Sequence, residues 1–133
     1  MALWMALAAP AFQQKPPPAP PEPPESDESL VEKQYQFNPL QASREMKVGE
    51  FYWKKGSWSS AAMRFQEATR WNPQLAEAFL RLGETHEKMA RSMPPADRGR
   101  QMAAARQAYA KFLELAPEDR RAAAIRKKVP KSD

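Results

Sequence analysis

The sequence contains no cysteine, a single histidine and only four glycines among its 133 residues. The absence of cysteine excludes disulfides, thiolate zinc sites, a cysteine nucleophile and a lipid-modified cysteine. With His86 as the only histidine, a multi-histidine metal site or a histidine pair for acid–base chemistry cannot form within one chain. No run of about 20 apolar residues occurs, so no transmembrane span is predicted.

Sequence motifs of the common enzyme classes are absent as well. The chain has no G-x-S-x-G, H-E-x-x-H or C-x-x-C motif and no glycine-rich phosphate loop. Carboxylates are abundant, but none is paired within an apolar context. The sequence therefore predicts a protein without catalytic residues, cofactor or metal.

Charge and proline are distributed unevenly. The chain carries a net charge of +5, and 14 of its residues are proline. Residues 1–41 hold two lysines and five acidic residues, a net charge of −3, which leaves +8 on the remainder. A basic domain behind an acidic segment favours acidic partners or an anionic surface.

Residues 1–11 form an apolar, signal-like leader. The run ALWMALAA is followed by Ala9-Pro10-Ala11, the small-x-small pattern of a signal-peptidase site, which predicts a product beginning at Phe12. We expect a soluble exported protein, periplasmic or envelope-associated in a bacterium. The alternative is a disordered apolar N-terminus on a cytoplasmic protein.

Residues 12–29 are rich in proline and acidic residues and contain few residues that could form a core. This composition predicts a disordered spacer, with a proline-motif ligand as the alternative. Residues 30–37 follow with four apolar side chains, and they are interpreted as a short docking arm or further linker. A helical domain is predicted for residues 38–129, and residues 130–133 form a tail.

The helical domain contains an internal repeat. Asn38-Pro39 is a helix-start signal, and the same pair recurs 34 residues later as Asn72-Pro73. At this shift Gly49 falls on Gly83. Farther along, the shift becomes 44, with Phe65 falling on Tyr109. Two helix–turn–helix units are therefore predicted, the second with ten extra residues between its helices, where residues 92–99 hold the expected breakers.

These residues resemble the tetratricopeptide repeat family, whose period is about 34 residues. The resemblance covers residues 40–117 and implies an all-α, right-handed solenoid of two repeats. The second unit departs from the pattern at His86, at Phe112 and in its expanded inter-helix turn. The positions that carry the repeat are Gly49, Tyr52, Ala61, Phe65, Ala68, Pro73, Gly83, Ala105, Tyr109 and Pro117.

A capping helix is expected to follow from residue 116 to about 129. Carboxylates at 118 and 119 suit its positive end, and it is apolar on one side and basic on the other. Because two repeats alone bury little surface, the cap, the arm, self-association or a partner would have to complete the core.

The resemblance also implies a binding groove lined by the first helix of each unit, with Trp53 as its anchor. A peptide or helix is the expected ligand, and the alternative is a solvated face with ordinary ion pairs. The groove positions are Met46, Lys47, Glu50, Trp53, Lys54, Leu80, Arg81, Glu84, Glu87 and Lys88.

Three further features have two interpretations each. Trp58 and Trp71 are expected to pack between helix ends, with a contact on the convex side as the alternative. His86 is expected to face the core between helices rather than to act in catalysis. The basic patch is interpreted as a solvated face, or else as a site for an acidic partner, a membrane phosphate or nucleic acid. It consists of Arg120, Arg121, Arg126, Lys127 and Lys128.

The function predicted from these features is a non-catalytic protein–protein interaction module. Its leader and first repeat are similar to the start of the tetratricopeptide-built bacterial outer-membrane assembly proteins, and the chain is interpreted as a reduced relative of them. The alternative function is binding of an anionic surface or nucleic acid through the basic C-terminal helix, although acidic residues alternate with the basic ones on most helices.

Overall fold

A computed structural model describes residues 35–131 of the chain. All regular structure in this range is helical, which confirms the predicted all-α class for the described residues. The elements are α1 (Pro39–Lys54), α2 (Trp58–Trp71), α3 (Ala76–Arg91), a short 3₁₀ helix (Pro95–Asp97), α4 (Gly99–Leu115) and α5 (Ala122–Arg126). The predicted leader, the proline-rich segment and residues 30–34 of the arm lie outside the described residues.

Each helix packs mainly on its neighbours in sequence. α1 lies against α2, α2 against α3, α3 against α4, and α4 against α5. Most of the buried apolar residues are alanines, and a few larger side chains complete the core. The largest fully buried side chains are Tyr109, Phe65, Phe112, Leu80 and Thr85.

The two Asn-Pro pairs have different roles. Asn38 caps α1 as predicted, because its Oδ1 accepts a hydrogen bond from the Gln41 N–H at 3.0 Å and Pro39 is the first helical residue. The second pair, Asn72-Pro73, does not begin a helix. Asn72 ends α2, and its Oδ1 accepts from the Gln74 N–H at 3.1 Å, which forms a turn before α3 begins at Ala76.

The same close contact occurs in both helix pairs. A Cβ placed on Gly49 of α1 would lie 2.5 Å from Cε1 of Phe65 on α2. A Cβ placed on Gly83 of α3 would lie 2.5 Å from Cε1 of Tyr109 on α4. Each aromatic ring therefore occupies the space that a side chain at the glycine would fill. This contact explains why glycine lies inside both helices despite a cost of about 1 kcal/mol against alanine.

The ten extra residues of the second unit are divided between helix and turn. α1 is joined to α2 by residues 55–57, where Gly56 adopts a left-handed φ of +72°. α3 is joined to α4 by residues 92–98. Only four of the ten residues therefore lengthen the turn. The other six add nearly one turn to the end of α3 and to the start of α4.

The C-terminal cap is shorter than predicted. α5 spans only Ala122–Arg126 instead of a helix from residue 116 to about 129. The Asp119 carboxylate accepts hydrogen bonds from the backbone N–H and from the guanidinium of Arg121, at 2.8 and 3.0 Å. These bonds form a turn, and the helix therefore begins only after it. These two bonds hold the pKa of Asp119 at about 2. Val129 precedes Pro130, a position that disfavours continuing the helix.

The cap nevertheless contributes to the core. Ala122 and Ile125 are buried, and Ile125 packs in a cluster with Leu80, Tyr109 and Phe112. Val129 packs against the same cluster from beyond the end of α5. The cap therefore covers the second helix pair.

Tyr35, at the start of the described residues, lies on the end of α2. Its hydroxyl donates to the Glu67 carboxylate at 2.8 Å, and its ring meets the edge of the Trp71 ring at a centroid distance of 4.9 Å. Phe37, two residues later, is 68% exposed. Of the predicted arm, Tyr35 thus contacts the domain, whereas Phe37 does not pack into it.

The hydroxyl of Tyr109 lacks a hydrogen bond. Among residues 35–131, it is the one buried side-chain nitrogen or oxygen without a partner. The nearby Glu87 carboxylate is bound to Lys128 and Arg91, at 3.0 and 3.7 Å. Burial, and then the negative charge of Glu87, raise the pKa of Tyr109 well above its usual value.

At alkaline pH, we expect the wild type to lose stability through Tyr109 and the Tyr109→Phe variant to be spared this loss. Because the folded-state pKa exceeds the unfolded value of about 10, the stability from the neutral phenol is complete below pH ~10 and declines above it. The wild type should therefore lose up to about 1.4 kcal/mol per pH unit above pH ~10 relative to Tyr109→Phe. Urea denaturation of both proteins, from neutral pH to about pH 11, measures this difference; parallel stability curves would contradict it.

Candidate functional site

The expected groove is held together by one arginine. Arg81 of α3 donates to both oxygens of Glu50 on α1, from Nε at 2.6 Å and from Nη2 at 2.7 Å. Its Nη1 donates to Glu84 at 2.9 Å. The Arg81 side chain is only 15% exposed. These hydrogen bonds connect α1 to α3 and occupy three of the positions expected to bind a ligand.

Trp53, the expected anchor, is also covered by neighbouring side chains. The Arg81 guanidinium lies over its ring at 4.1 Å from the centroid, and the Trp58 ring packs edge-to-face with it at a centroid distance of 4.9 Å. The Trp53 side chain is half-buried. It stabilises the junction of α1, α2 and α3, and it does not stand free as an anchor for a ligand. The packing interpretation of Trp58 therefore agrees with the structure, as it does for Trp71 beside Tyr35.

Leu80 does not belong to the groove, so that prediction is wrong. It is 1% exposed and packs against Ala105, Tyr109, Phe112 and Ile125 in the core. Leu80 lies only three residues before Gly83, close to the side of α3 that faces α4, so its apolar side chain is buried there. The helical period predicted the side of α3 that faces the groove to within about one residue. It did not predict that the apolar Leu80 would be buried in the core.

Glu87, another groove position, is also occupied. Its carboxylate is bound by Lys128 from the cap at 3.0 Å, and its side chain is 13% exposed. Of the other groove positions, Met46 is half-buried, Lys88 is half-buried with its Nζ 5.8 Å from the centroid of the Trp58 ring, and Lys47 and Lys54 are exposed. The accessible part of the expected groove is therefore mostly on α1.

A shallow cleft of about 440 Å³ lies along this accessible side of α1. The exposed apolar side chain in it is Phe51, which sequence reasoning missed and which is 52% exposed. Leu40, on the same side of the helix three turns earlier, is 62% exposed. The exposure of both residues could have been predicted, because the helical period places them on the side of α1 opposite Gly49. The cleft is lined by Ser43, Met46, Lys47, Glu50, Phe51 and Lys54.

His86 lies between helices, but not in a closed core. It is half-buried, and its Nδ1 makes a hydrogen bond of 2.7 Å with the Gln101 amide oxygen on α4. It lines an open cleft together with Phe79, Leu82 and residues of α2 and α4. Among the residues that the structure describes, no group of three histidine, cysteine or acidic side chains could hold a metal.

The basic patch is partly used inside the molecule. Arg121 donates to Glu77 of α3 at 2.7 Å, Lys128 to Glu87, and Arg126 to the Pro117 carbonyl at 2.6 Å. All five side chains of the patch are exposed. Three of the five positive charges contribute to holding the cap in place, and Arg120 and Lys127 form no ion pair within residues 35–131.

Within residues 35–131, no helix combines the length and the apolar character needed to cross a membrane. No protein-family model, curated protein or solved structure matches the chain. The function of this chain is therefore inferred from the geometry of its candidate site.

Proposed function

We propose that this chain is a non-catalytic protein-interaction module built from two tetratricopeptide-like repeats and a C-terminal cap. The observation that carries the proposal is the close packing of a glycine against an aromatic ring, made by Gly49 with Phe65 and by Gly83 with Tyr109, where a Cβ placed on either glycine would lie 2.5 Å from the ring. Equivalent contacts at corresponding positions support two copies of one structural unit. Repeats of this kind stack their helices and present a continuous surface to a ligand.

The accessible surface of α1 supports protein as the ligand. It combines exposed Phe51 and Leu40 with half-buried Met46 and several cations. Apolar and methionine side chains beside charges are typical of surfaces that bind a peptide or a helix. The ligand is proposed to lie along α1 and to reach Lys88 of α3.

Anion binding through the basic patch has less support. Arg121, Arg126 and Lys128 are engaged with Glu77, the Pro117 carbonyl and Glu87. A nucleic-acid site would need these cations to be free to contact phosphates.

The proposal is tested by photocrosslinking in the native cell. A photoreactive amino acid is placed at Met46 or Lys88, and for comparison at Met63, which is 67% exposed on α2. We expect Met46 and Lys88 to crosslink the same protein and Met63 to give no such adduct. The lack of an adduct at either α1 or α3, or the same adducts from Met63, would contradict the proposal. Crosslinks to nucleic acid from a label at Lys127 would favour the alternative.

The proposal includes a location in the cell envelope of a bacterium, which is supported by the leader sequence alone. Mass spectrometry of the same purified protein would identify its N-terminus. A start at Phe12 is expected from the small-x-small pattern at residues 9–11. An intact Met1 on a cytoplasmic protein would contradict export without affecting the proposed binding.

A further inference from the structure

α1 has an outer face that none of the described helices covers. It lies opposite Gly49, the residue that touches α2, and all of its members are exposed. Leu40 and Phe51, at opposite ends, are 62% and 52% exposed. We call this surface the α1 outer face, and it consists of Leu40, Arg44, Lys47, Phe51 and Lys54.

In the second unit, two positions of the equivalent face are buried. At the shift of 34, Arg44 corresponds to Ala78 and Phe51 to Thr85 on α3. Ala78 and Thr85 are both fully buried, and α3 packs against α2. The equivalent side of α1 has no helix against it within residues 35–131. The fold is therefore suited to receive one more helix at this position.

The α1 outer face is positively charged as well as apolar. Arg44, Lys47 and Lys54 form no ion pair with any residue of the described range. Glu50, at the edge of the face, is already bound to Arg81 at 2.6 Å. Lys55 adds a further charge, because its Nζ lies 4.3 Å from the centroid of the Phe51 ring. A ligand that covers Phe51 must therefore also meet several cations.

We propose that the α1 outer face is the docking site for an acidic amphipathic helix of a partner protein. Leu40 and Phe51 are eleven residues apart on α1, or about 16 Å, which matches three turns of a helix laid alongside. Such a helix would place an apolar stripe on these two side chains and carboxylates opposite Arg44, Lys47 and Lys54. This inference rests on the proposed function and names the chemistry of its ligand.

Charge argues against a second copy as the occupant. Two copies packed through this face would bring the same three cations together. Stacking this face on the opposite end of another copy would bring it near the exposed Arg120 and Lys127 of the cap. Both arrangements place like charges close together, which disfavours association.

The test measures binding of a synthetic helical peptide to the full-length protein by fluorescence anisotropy. The probe has about 18 residues, with leucine at i, i+4, i+7 and i+11 and glutamate on both sides of this stripe. We expect Phe51→Ser to weaken binding by about tenfold, and Arg44→Glu with Lys47→Glu by tenfold or more. A probe with lysine in place of glutamate should bind the charge-reversed variant better than the wild type.

Matched controls are available on other surfaces. Met63→Ser on α2 and Lys127→Glu on the cap change the same types of side chain, and both should leave the affinity within about twofold. Circular dichroism and a thermal melt establish that each variant is folded. Because Phe51 and Lys47 are exposed, their replacement should not lower the melting temperature.

Several results would overturn the inference. If a probe with glutamine in place of glutamate binds equally well, the ligand does not need to be acidic. If Phe51→Ser binds the probe as well as the wild type does, the α1 outer face is not the docking site. Self-association of the wild type that Phe51→Ser abolishes would assign the face to a second copy. Stronger probe binding after amide replacement of Glu25, Asp27, Glu28 and Glu32 would assign it to the chain's own acidic segment. If Met46 and Lys88 still crosslink the same protein, any of these results would rule out the docking of an acidic helix on the α1 outer face. The proposed function in protein interaction would still hold.

Discussion

Replacing Phe65 with alanine is expected to lower the free energy of unfolding by about 3–5 kcal/mol. Phe65 is fully buried, and its ring fills the space above Gly49 on the facing helix α1. Alanine would leave a cavity beside Gly49, which has no side chain to fill it, and the surrounding structure would relax only in part. A domain of this size has a total stability of about 5–15 kcal/mol, so the variant should be only marginally folded at 37 °C.

Urea denaturation followed by tryptophan fluorescence and circular dichroism measures this effect. The matched control is Met63→Ala, two residues earlier on α2, where the side chain is 67% exposed and the change should stay within about 0.5 kcal/mol. A loss of less than about 1 kcal/mol for Phe65→Ala would show that the contact between α1 and α2 does not depend on this ring.

Replacing Gly49 or Gly83 with alanine is expected to destabilise the protein by about 1–3 kcal/mol, although alanine is the better helix former by about 1 kcal/mol. The added Cβ would lie 2.5 Å from the ring of Phe65 or Tyr109, too close for two carbon atoms. The clash involves buried rings, so it can be relieved only by moving one helix away from the other.

Gly99 provides the opposite control. It begins α4, and a Cβ placed there meets nothing within 4 Å. Gly99→Ala should therefore be neutral or stabilising, by up to about 1 kcal/mol. Thermal and urea denaturation of the three single variants tests the difference in sign. The cost of Gly83→Ala should also shrink in a Tyr109→Leu background, because the ring that clashes is then gone. The same sign at all three glycines would contradict the close approach.

Much of the helical framework could be predicted from local chemistry. The Asn38-Pro39 signal predicted where α1 begins, since capping depends only on a few adjacent residues. The shift of 34 and then 44 paired Gly49 with Gly83 and Phe65 with Tyr109, and the structure has these residues in equivalent contacts. The Asn72-Pro73 pair shows the limit of such signals, because the same two residues can end one helix as readily as they begin another.

The length of the second unit shows a further limit. Breakers at residues 92–99 predicted where the ten extra residues would interrupt the helices, and a turn lies there. They did not predict that six of the ten would extend α3 and α4. Helical propensity alone allows either outcome, because most of the stability of a helix in a protein comes from its packing against neighbouring elements.

For the candidate site, the residues alone determined that α1 and α3 carry alternating charges and aromatic side chains on corresponding faces, because this follows from the helical period. The tertiary structure alone decided which of them remain accessible. Arg81 is occupied because Glu50 and Trp53 lie within reach on another helix, and Leu80 is buried because α4 and α5 cover it. Leu40 and Phe51 are exposed because no helix precedes α1 in the described part of the chain. The physical reason is that the free energy of a side chain depends on all of its neighbours, and most of these neighbours come from distant parts of the sequence.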